Sequence, residues 1–326
     1  MSLKAIQYKV LSGAELTDSD IRYLVALPAG RLGEMVQCAA EIRSAHFDAT
    51  LSLCAIINAK SGTCSENCAF CAQSGHHGAE SPEYPLLPVD EIVAAGEKAK
   101  AHGVSRFGVV ASGKLVGDSD LVGFTEAVRG LAAIGIKPDL SPGILDRSQL
   151  KALKAAGLAG YHHNLETSAT YFPKMCSTHA YEEDVRAVRA GLNAGLYVCS
   201  GGIFGIGETW EDRVELALLL RELGVPSVPM NFLHPIPGTP LEGMGVLTPE
   251  ESLKIVALYR FLLPDRALRI CGGRLTVFGE ERKRELLTSG ASGLMVGDYL
   301  TTTGGDVESD LIEINEAGLV PEGLNE

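Results

Sequence analysis

The stretch Leu51-Ser52-Leu53-Cys54-Ala55-Ile56-Ile57 runs, after a short spacer, into Cys64-Ser65-Glu66-Asn67-Cys68-Ala69-Phe70-Cys71. The first part is a short apolar run of strand length. The second places three thiols in one tight loop directly after it. Working outward, seven further strand-like runs follow, at Arg106–Ala111, Lys137–Ser141, Gly160–Leu165, Leu196–Ile203, Ser227–Leu233, Ala267–Cys271 and Gly293–Gly297. Between them lie helical patterns near residues 89–102, 119–134, 147–156, 181–194, 209–222, 249–262 and 278–288. Strands alternating with helices build a parallel sheet, and eight such strands are the number that closes a (β/α)8 barrel of TIM type. An open doubly wound sheet is the alternative.

The expected organisation is an N-terminal helical extension over residues 1–48, with helices at 15–48 covering the bottom or side of the barrel. The barrel itself spans 49–304, and a short helix and tail occupy 305–326. In such a fold the chemistry sits at the C-terminal ends of the strands. The cysteine loop follows the first strand and falls there.

The chain has 326 residues, 46% hydrophobic and 21% charged, with a net charge of −13. That charge, with no long basic run, speaks against nucleic acid as a partner, because such a face needs clustered Lys and Arg. No apolar stretch approaches the roughly 20 residues of a membrane span. The opening Met1-Ser2-Leu3-Lys4 lacks the order of a signal peptide. The expected location is therefore the cytoplasm, where eight cysteines point to metal or catalysis before disulfides.

The spacing Cys64-x3-Cys68-x2-Cys71 can hold three irons of a [4Fe–4S] cube and leave the fourth open to a small chelating molecule. A zinc site completed by His76 or His77 is the competing reading. With Phe70 just before its last cysteine, the triad resembles the radical S-adenosylmethionine (SAM) superfamily. That resemblance implies a SAM molecule on the open iron. One electron would cleave it to methionine and a 5′-deoxyadenosyl radical, which takes hydrogen from an unactivated carbon.

The resemblance narrows to the biotin synthase family and runs from about residue 40 to the C-terminus. It is carried by Ala59-Lys-Ser-Gly-Thr-Cys64, Cys71-Ala-Gln-Ser74, His163-Asn-Leu-Glu-Thr-Ser168 and Cys199-Ser-Gly-Gly-Ile-Phe-Gly-Ile-Gly-Glu208. Further stretches are Asn231-Phe-Leu-His-Pro-Ile-Pro-Gly-Thr-Pro-Leu241, Arg269-Ile-Cys-Gly-Gly-Arg274 and Gly297-Asp-Tyr-Leu-Thr-Thr-Thr303. It implies that Phe70 lies against adenine, that Asn164 and Glu166 contact SAM, and that Gly202 and Ile203 let backbone approach the adenine. A carboxylate at 166 suits ribose, since it accepts from both hydroxyls. For the glycines of the 202–208 stretch, a tight strand-to-helix turn is the plain alternative. Asn231 matches the family's ureido-binding asparagine; an amide with donors and an acceptor suits a neutral cyclic urea. His162 stands where the family carries another ureido-binding asparagine. Asp184 stands where an arginine facing the SAM carboxylate is expected.

The family's second cluster, its sulfur donor, is a [2Fe–2S] on three cysteines and an arginine. Here Cys199 and Arg269 match, but the other two cysteine positions fall at Gly108 and Asp139. Other thiols are available. Cys271 shares a strand face with Arg269, and Cys54 lies on the first strand, which neighbours the last strands when a barrel closes. Cys54, Cys199 and Cys271 are thus expected to converge in the lumen as ligands of a second iron–sulfur cluster, with Arg269 beside them. Cys176 is a candidate fourth ligand, and Cys38, on an N-terminal helix, is expected only to pack.

The activity this implies is sulfur insertion between two unactivated carbons of dethiobiotin. The alternatives are a lipoyl synthase acting on a protein-bound octanoyl chain, and a single-cluster radical mutase or C–C-forming enzyme. A small-molecule substrate, a flavodoxin or ferredoxin electron donor and a homodimer complete the expectation.

Overall fold

In the computed structural model, residues 2–298, 300 and 304–322 are described. Of the motifs quoted above, Tyr299 and Thr301–Thr303 lie outside them.

The first strand, β1 (Thr50–Lys60), alternates strictly at its start. Leu51, Leu53 and Ala55 are buried outward, while Ser52, Cys54 and Ile56 point the other way. This period of two is what a barrel strand between a helical shell and a lumen requires. β2 (Arg106–Ala111), β3 (Lys137–Ser141), β4 (Gly160–His162), β5 (Tyr197–Cys199), β7 (Ser227–Phe232), β8 (Ala267–Ile270) and β9 (Gly293–Met295) follow, each paired in parallel with the next. β9 returns to β1, Leu53 opposite Leu294 and Cys54 opposite Met295. That pairing closes the sheet and removes the open-sheet alternative.

The fifth stave is not the single strand expected over Leu196–Ile203. It breaks at Ser200-Gly201 into β5 and β6 (Gly202–Phe204), and β6 pairs with β7. The fourth stave ends at His162 rather than Leu165. Beyond it the amides of His163, Leu165 and Glu166 donate to the carbonyls of Cys199 and Gly201, so the chain is held by the interrupted stave instead of a ladder.

Helices α4 (Val89–Ala101), α5 (Asp118–Ala133), α6 (Arg147–Ala155), α7 (Tyr181–Asn193), α8 (Trp210–Leu223) and α9 (Pro249–Leu262) form the shell. Asp146 with Gln149 and Thr209 with Asp212 close capping boxes that start α6 and α8. The expected helix at 278–288 is instead two, α10 (Arg274–Arg282) and α11 (Arg284–Leu287). Gly279, at φ 59°, interrupts the first of them.

Ahead of the barrel come α1 (Leu3–Leu11), α2 (Asp18–Val25) and α3 (Leu32–Phe47). α3 lies on α9, which explains why α9 is buried on every side from Ser252 to Leu262, apart from the half-buried Lys254. Buried Arg43 joins the extension to the barrel by donating to the carbonyls of Ala291, Asp48 and Thr50. The C-terminal segment is more than a helix and tail. After α12 (Val307–Glu316), β10 (Val320–Pro321) pairs in parallel with the start of β1. Among the described residues, no helix is long and apolar enough to cross a membrane.

Candidate active site

The loop after β1 is built by its own backbone. The Cys64 amide donates to Gln73 O, the Gly75 amide to Cys64 O and the Cys71 amide to Cys68 O. His76 and His77 do not turn toward the thiols. Their Nε2 atoms lie 2.9 and 3.0 Å from the carbonyls of Ser65 and Cys68, so both are engaged in holding the loop. Across the mouth, the Ala69 amide donates to Met175 O and Asn67 joins Ser177.

Cys64, Cys68 and Cys71 line a cavity of about 430 Å³ at the C-terminal ends of the strands. Phe70, His162, Asn164, Glu166, Ile203, Asn231 and Cys271 line the same cavity. A single zinc ion holds its ligands at about 2.0–2.3 Å and so draws them to within about 4 Å of one another. The triad sulfurs are not gathered that closely: among the described residues, the one such group within 4.8 Å is elsewhere. Three free thiols spread round a loop suit a cluster of several irons.

Phe70 and Ile203 pack on a small apolar patch of Ala69, Tyr171, Met175, Ile206, Leu233 and Leu241. Such a surface suits a flat heterocycle. Gly202 does not line the cavity. A side chain there would overlap the carbonyl of Glu166, so its smallness serves the close approach of two loops. Glu166 itself has φ 64°, and its carbonyl accepts from the Ile203 amide at 2.9 Å. Its carboxyl is enclosed, and burial pushes it up to about 8.

Asn164 is oriented by a backbone amide on one side and a carboxyl on the other. The Gly201 amide donates to its Oδ1 at 3.2 Å, and its Nδ2 points to Glu166 Oε2 at 3.4 Å. The same Oδ1 lies 3.0 Å from His162 Nε2, so that nitrogen carries the hydrogen. Burial holds the His162 ring down, toward its neutral form, which makes Nδ1 an acceptor with no partner among the described residues. Asn231 spends half of its amide on backbone: Nδ2 donates to Gly202 O and Oδ1 accepts from the Gly272 amide. One N–H and one lone pair remain.

Below this cavity lies a smaller pocket of about 40 Å³, which shares His162, Ser141 and Cys271 with it. Cys54, Cys199, Cys271 and Arg269 all line it. Burial raises all three thiols, and the positive charge of Arg269 opposes that rise in each. Arg269 is held in place by donating to Ser52 O and Oγ, both at 3.1 Å, across the bare face of Gly293.

Gly108 and Asp139 line the opposite wall. Both oxygens of Asp139 accept from Arg106, with Nε to Oδ2 at 2.8 Å. Arg106 also lies 4.1 Å over the Tyr197 ring. A side chain at Gly160 would collide with this pair. The wall on β2 and β3 is thus filled by an ion pair, while the thiols come from β1, β5 and the end of β8.

Cys176 is not in this pocket. It is buried beside the triad loop, with Sγ 3.4 Å from Asn67 Oδ1 and 3.3 Å from His179 Nδ1. It is therefore no fourth ligand for the lumen group. Cys38 packs in the core. Asp184 is buried and accepts from His163 Nε2 at 2.8 Å and His179 Nε2 at 3.0 Å. No sequence motif announced this chain of two histidines and two carboxylates, since it forms only when the loop at 64–71 meets the segment at 176–184.

Comparison with known proteins adds the lineage. Residues 59–220 match the radical SAM superfamily, and residues 229–320 match the biotin and thiamin synthesis associated domain. The chain is 42% identical over 319 residues to a biotin synthase of Citrifermentans bemidjiense, covering 96% of each protein. It is 47% identical over 313 residues to that of Trichlorobacter lovleyi, covering 95% of this chain and 94% of the relative. Among solved structures, methylornithine synthase superposes with a TM-score of 0.84 over 97% of both chains at 22% identity. The FeFe-hydrogenase maturase HydG of Carboxydothermus hydrogenoformans gives 0.82 over 98% of this chain and 79% of its own, at 17% identity. These last two share the barrel; the kinship in sequence is with the synthases, and this chain belongs to the biotin synthase family of radical SAM enzymes.

Proposed function

We propose that this protein inserts sulfur into dethiobiotin to give biotin, using one SAM cleavage for each C–S bond. The observation that carries this is the stacking of two thiol groups: Cys64, Cys68 and Cys71 at the mouth, and Cys54, Cys199 and Cys271 beneath it in a pocket that opens into the same cavity. Cys64, Cys68 and Cys71 would hold a [4Fe–4S] cluster, which when bound supplies the electron that breaks SAM. Cys54, Cys199 and Cys271, with Arg269 supplying positive charge, would hold the second cluster, which supplies sulfur.

The chain's own groups account for the rest. Phe70 and Ile203 give the adenine an apolar seat, and Glu166 accepts from the ribose hydroxyls with Asn164 steering its carboxyl. The free N–H and lone pair of Asn231 face a ureido carbonyl and N–H, and the bare Nδ1 of His162 accepts the second ureido N–H. His162 thereby takes over the acceptor role of the family's asparagine. In this reading the substrate would lie between mouth and lumen, one end toward SAM and the other toward the Cys54, Cys199 and Cys271 thiols. An electron donor of the flavodoxin or ferredoxin type would serve it in the cytoplasm.

The test is anaerobic incubation of the reconstituted enzyme with SAM and a reductant, offering dethiobiotin or an octanoylated carrier peptide, with mass detection of products. Biotin should form from dethiobiotin, with one 5′-deoxyadenosine per C–S bond. Sulfur insertion into the octanoyl chain alone would overturn the assignment.

A further inference from the structure

Beside the triad loop the chain gathers a different set of ligand atoms. Glu66 lies between Cys64 and Cys68 on that loop, and Cys176 and His179 lie on the segment between β4 and α7. Their ligand atoms all fall within 4.8 Å of one another, the one such group among the described residues. His179 Nδ1 is 2.6 Å from Glu66 Oε2 and 3.3 Å from Cys176 Sγ. The other ring nitrogen, Nε2, turns away and meets Asp184 Oδ2 at 3.0 Å. The second oxygen of Asp184 is held by His163.

An imidazole with one nitrogen at a ligand cluster and the other on a carboxylate is the arrangement that orients metal-bound histidine. Glu66 is 9% and Cys176 4% exposed, His179 is half-buried, and Asp184 behind it is 5% exposed. A hydrogen-bonded Glu–His pair would explain the 2.6 Å contact alone. Beside that pair stands the buried Cys176 Sγ, which meets oxygens of Asn67 and Thr178 and the ring nitrogen as well as the Cys68 thiol, and thiols are weak hydrogen-bonding groups.

We propose that Glu66, Cys176 and His179 bind one divalent transition-metal ion of the zinc or ferrous class, with Asp184 as the positioning residue for His179. One thiolate, one imidazole and one carboxylate are the mixed donor set such borderline ions accept. Bonds of about 2.0–2.3 Å place tetrahedral ligand atoms roughly 3.3–3.8 Å apart, so Glu66 and His179 need separate by less than about 1 Å. The ion clamps the triad loop to the segment before α7, where Asn67 and Ala69 already bridge the two. The site is independent of which substrate the enzyme uses.

The experiment is zinc retention by the anaerobically reconstituted full-length enzyme, in which iron occupies the other thiols. After exposure to Zn²⁺ and gel filtration, the wild type should keep about one zinc per chain, with one sulfur near 2.3 Å and otherwise nitrogen or oxygen near 2.0–2.1 Å by X-ray absorption. Cys176→Ala and His179→Ala should lose that zinc while keeping wild-type iron, and Asp184→Asn should weaken retention roughly 10–100-fold, as loss of an outer-shell partner does. No retained zinc, a shell without sulfur or with several sulfurs, or equal retention in the two ligand variants would overturn the proposal. The absorption measurement is made on the wild type and so stands even if a variant fails to fold.

Discussion

Glu166 sits in the left-handed region of backbone space, uncommon for any residue but glycine. The neighbouring Gly202 permits this by offering no side chain against its carbonyl. Strain of this kind collects at functional sites when the surroundings hold it in place. The carboxyl it aims into the cavity is pushed up to about 8 by burial, so below that pH it is largely the neutral acid. Ribose hydroxyls are held best by the ionised form. SAM affinity is therefore expected to rise as pH increases toward and through about 8, and Glu166→Gln should show no such rise. Glu166→Ala should weaken SAM binding by roughly 10–100-fold, the worth of about 1.5–3 kcal/mol for bonds to a charged group. Calorimetric titration of SAM at several pH values reads both effects; an identical pH slope in Glu166→Gln would contradict this role. The family resemblance carried by the motif around Asn164 and Glu166 pointed to these residues. It could not show Asp139 already paired with Arg106, because the partner lies 33 positions away and meets it only through the register of β2 on β3.

At the scale of elements, the glycine-rich turn from β6 to α8 is tied down by one carboxylate. Glu208 accepts from the amides of Gly205 and Ile206 and from Arg213 Nε at 2.7 Å. Arg213 also reaches Glu251 of α9 and lies 4.4 Å from the Trp210 ring. Both partners of the Glu208–Arg213 pair are almost wholly buried. Glu208→Ala leaves a buried guanidinium short of a partner and should destabilise the protein by about 3–5 kcal/mol. Denaturant unfolding of the cluster-free protein measures it; a loss under about 1 kcal/mol would show that the turn stands without it. Periodicity located the eight staves and six of the shell helices because apolar runs alternate with amphipathic helical patterns along the chain, even where the strand itself is only three residues long. It missed the break at Ser200-Gly201, where apolar character continues on both sides while the backbone leaves the ladder. It missed β10 as well, since two residues carry no pattern and the pairing with β1 comes from the closed chain.

For the whole molecule, closure of β9 on β1 brings Cys54 beside the last strands, and the shared face of Arg269 and Cys271 does the rest. The lumen thiols were legible because strand alternation and barrel closure together predict side-chain direction. The ion pair on β2 and β3 shows why a cluster would sit toward β1, β5 and β8: the far wall is already filled. The most direct measurement of this account is iron content and Mössbauer spectroscopy on a variant lacking all three of Cys64, Cys68 and Cys71, reconstituted anaerobically. A residual iron–sulfur signal should remain, disappear when Cys271→Ala is added, and survive Asp139→Ala. No residual cluster, or a cluster that depends on Asp139 and not on Cys271, would contradict the account.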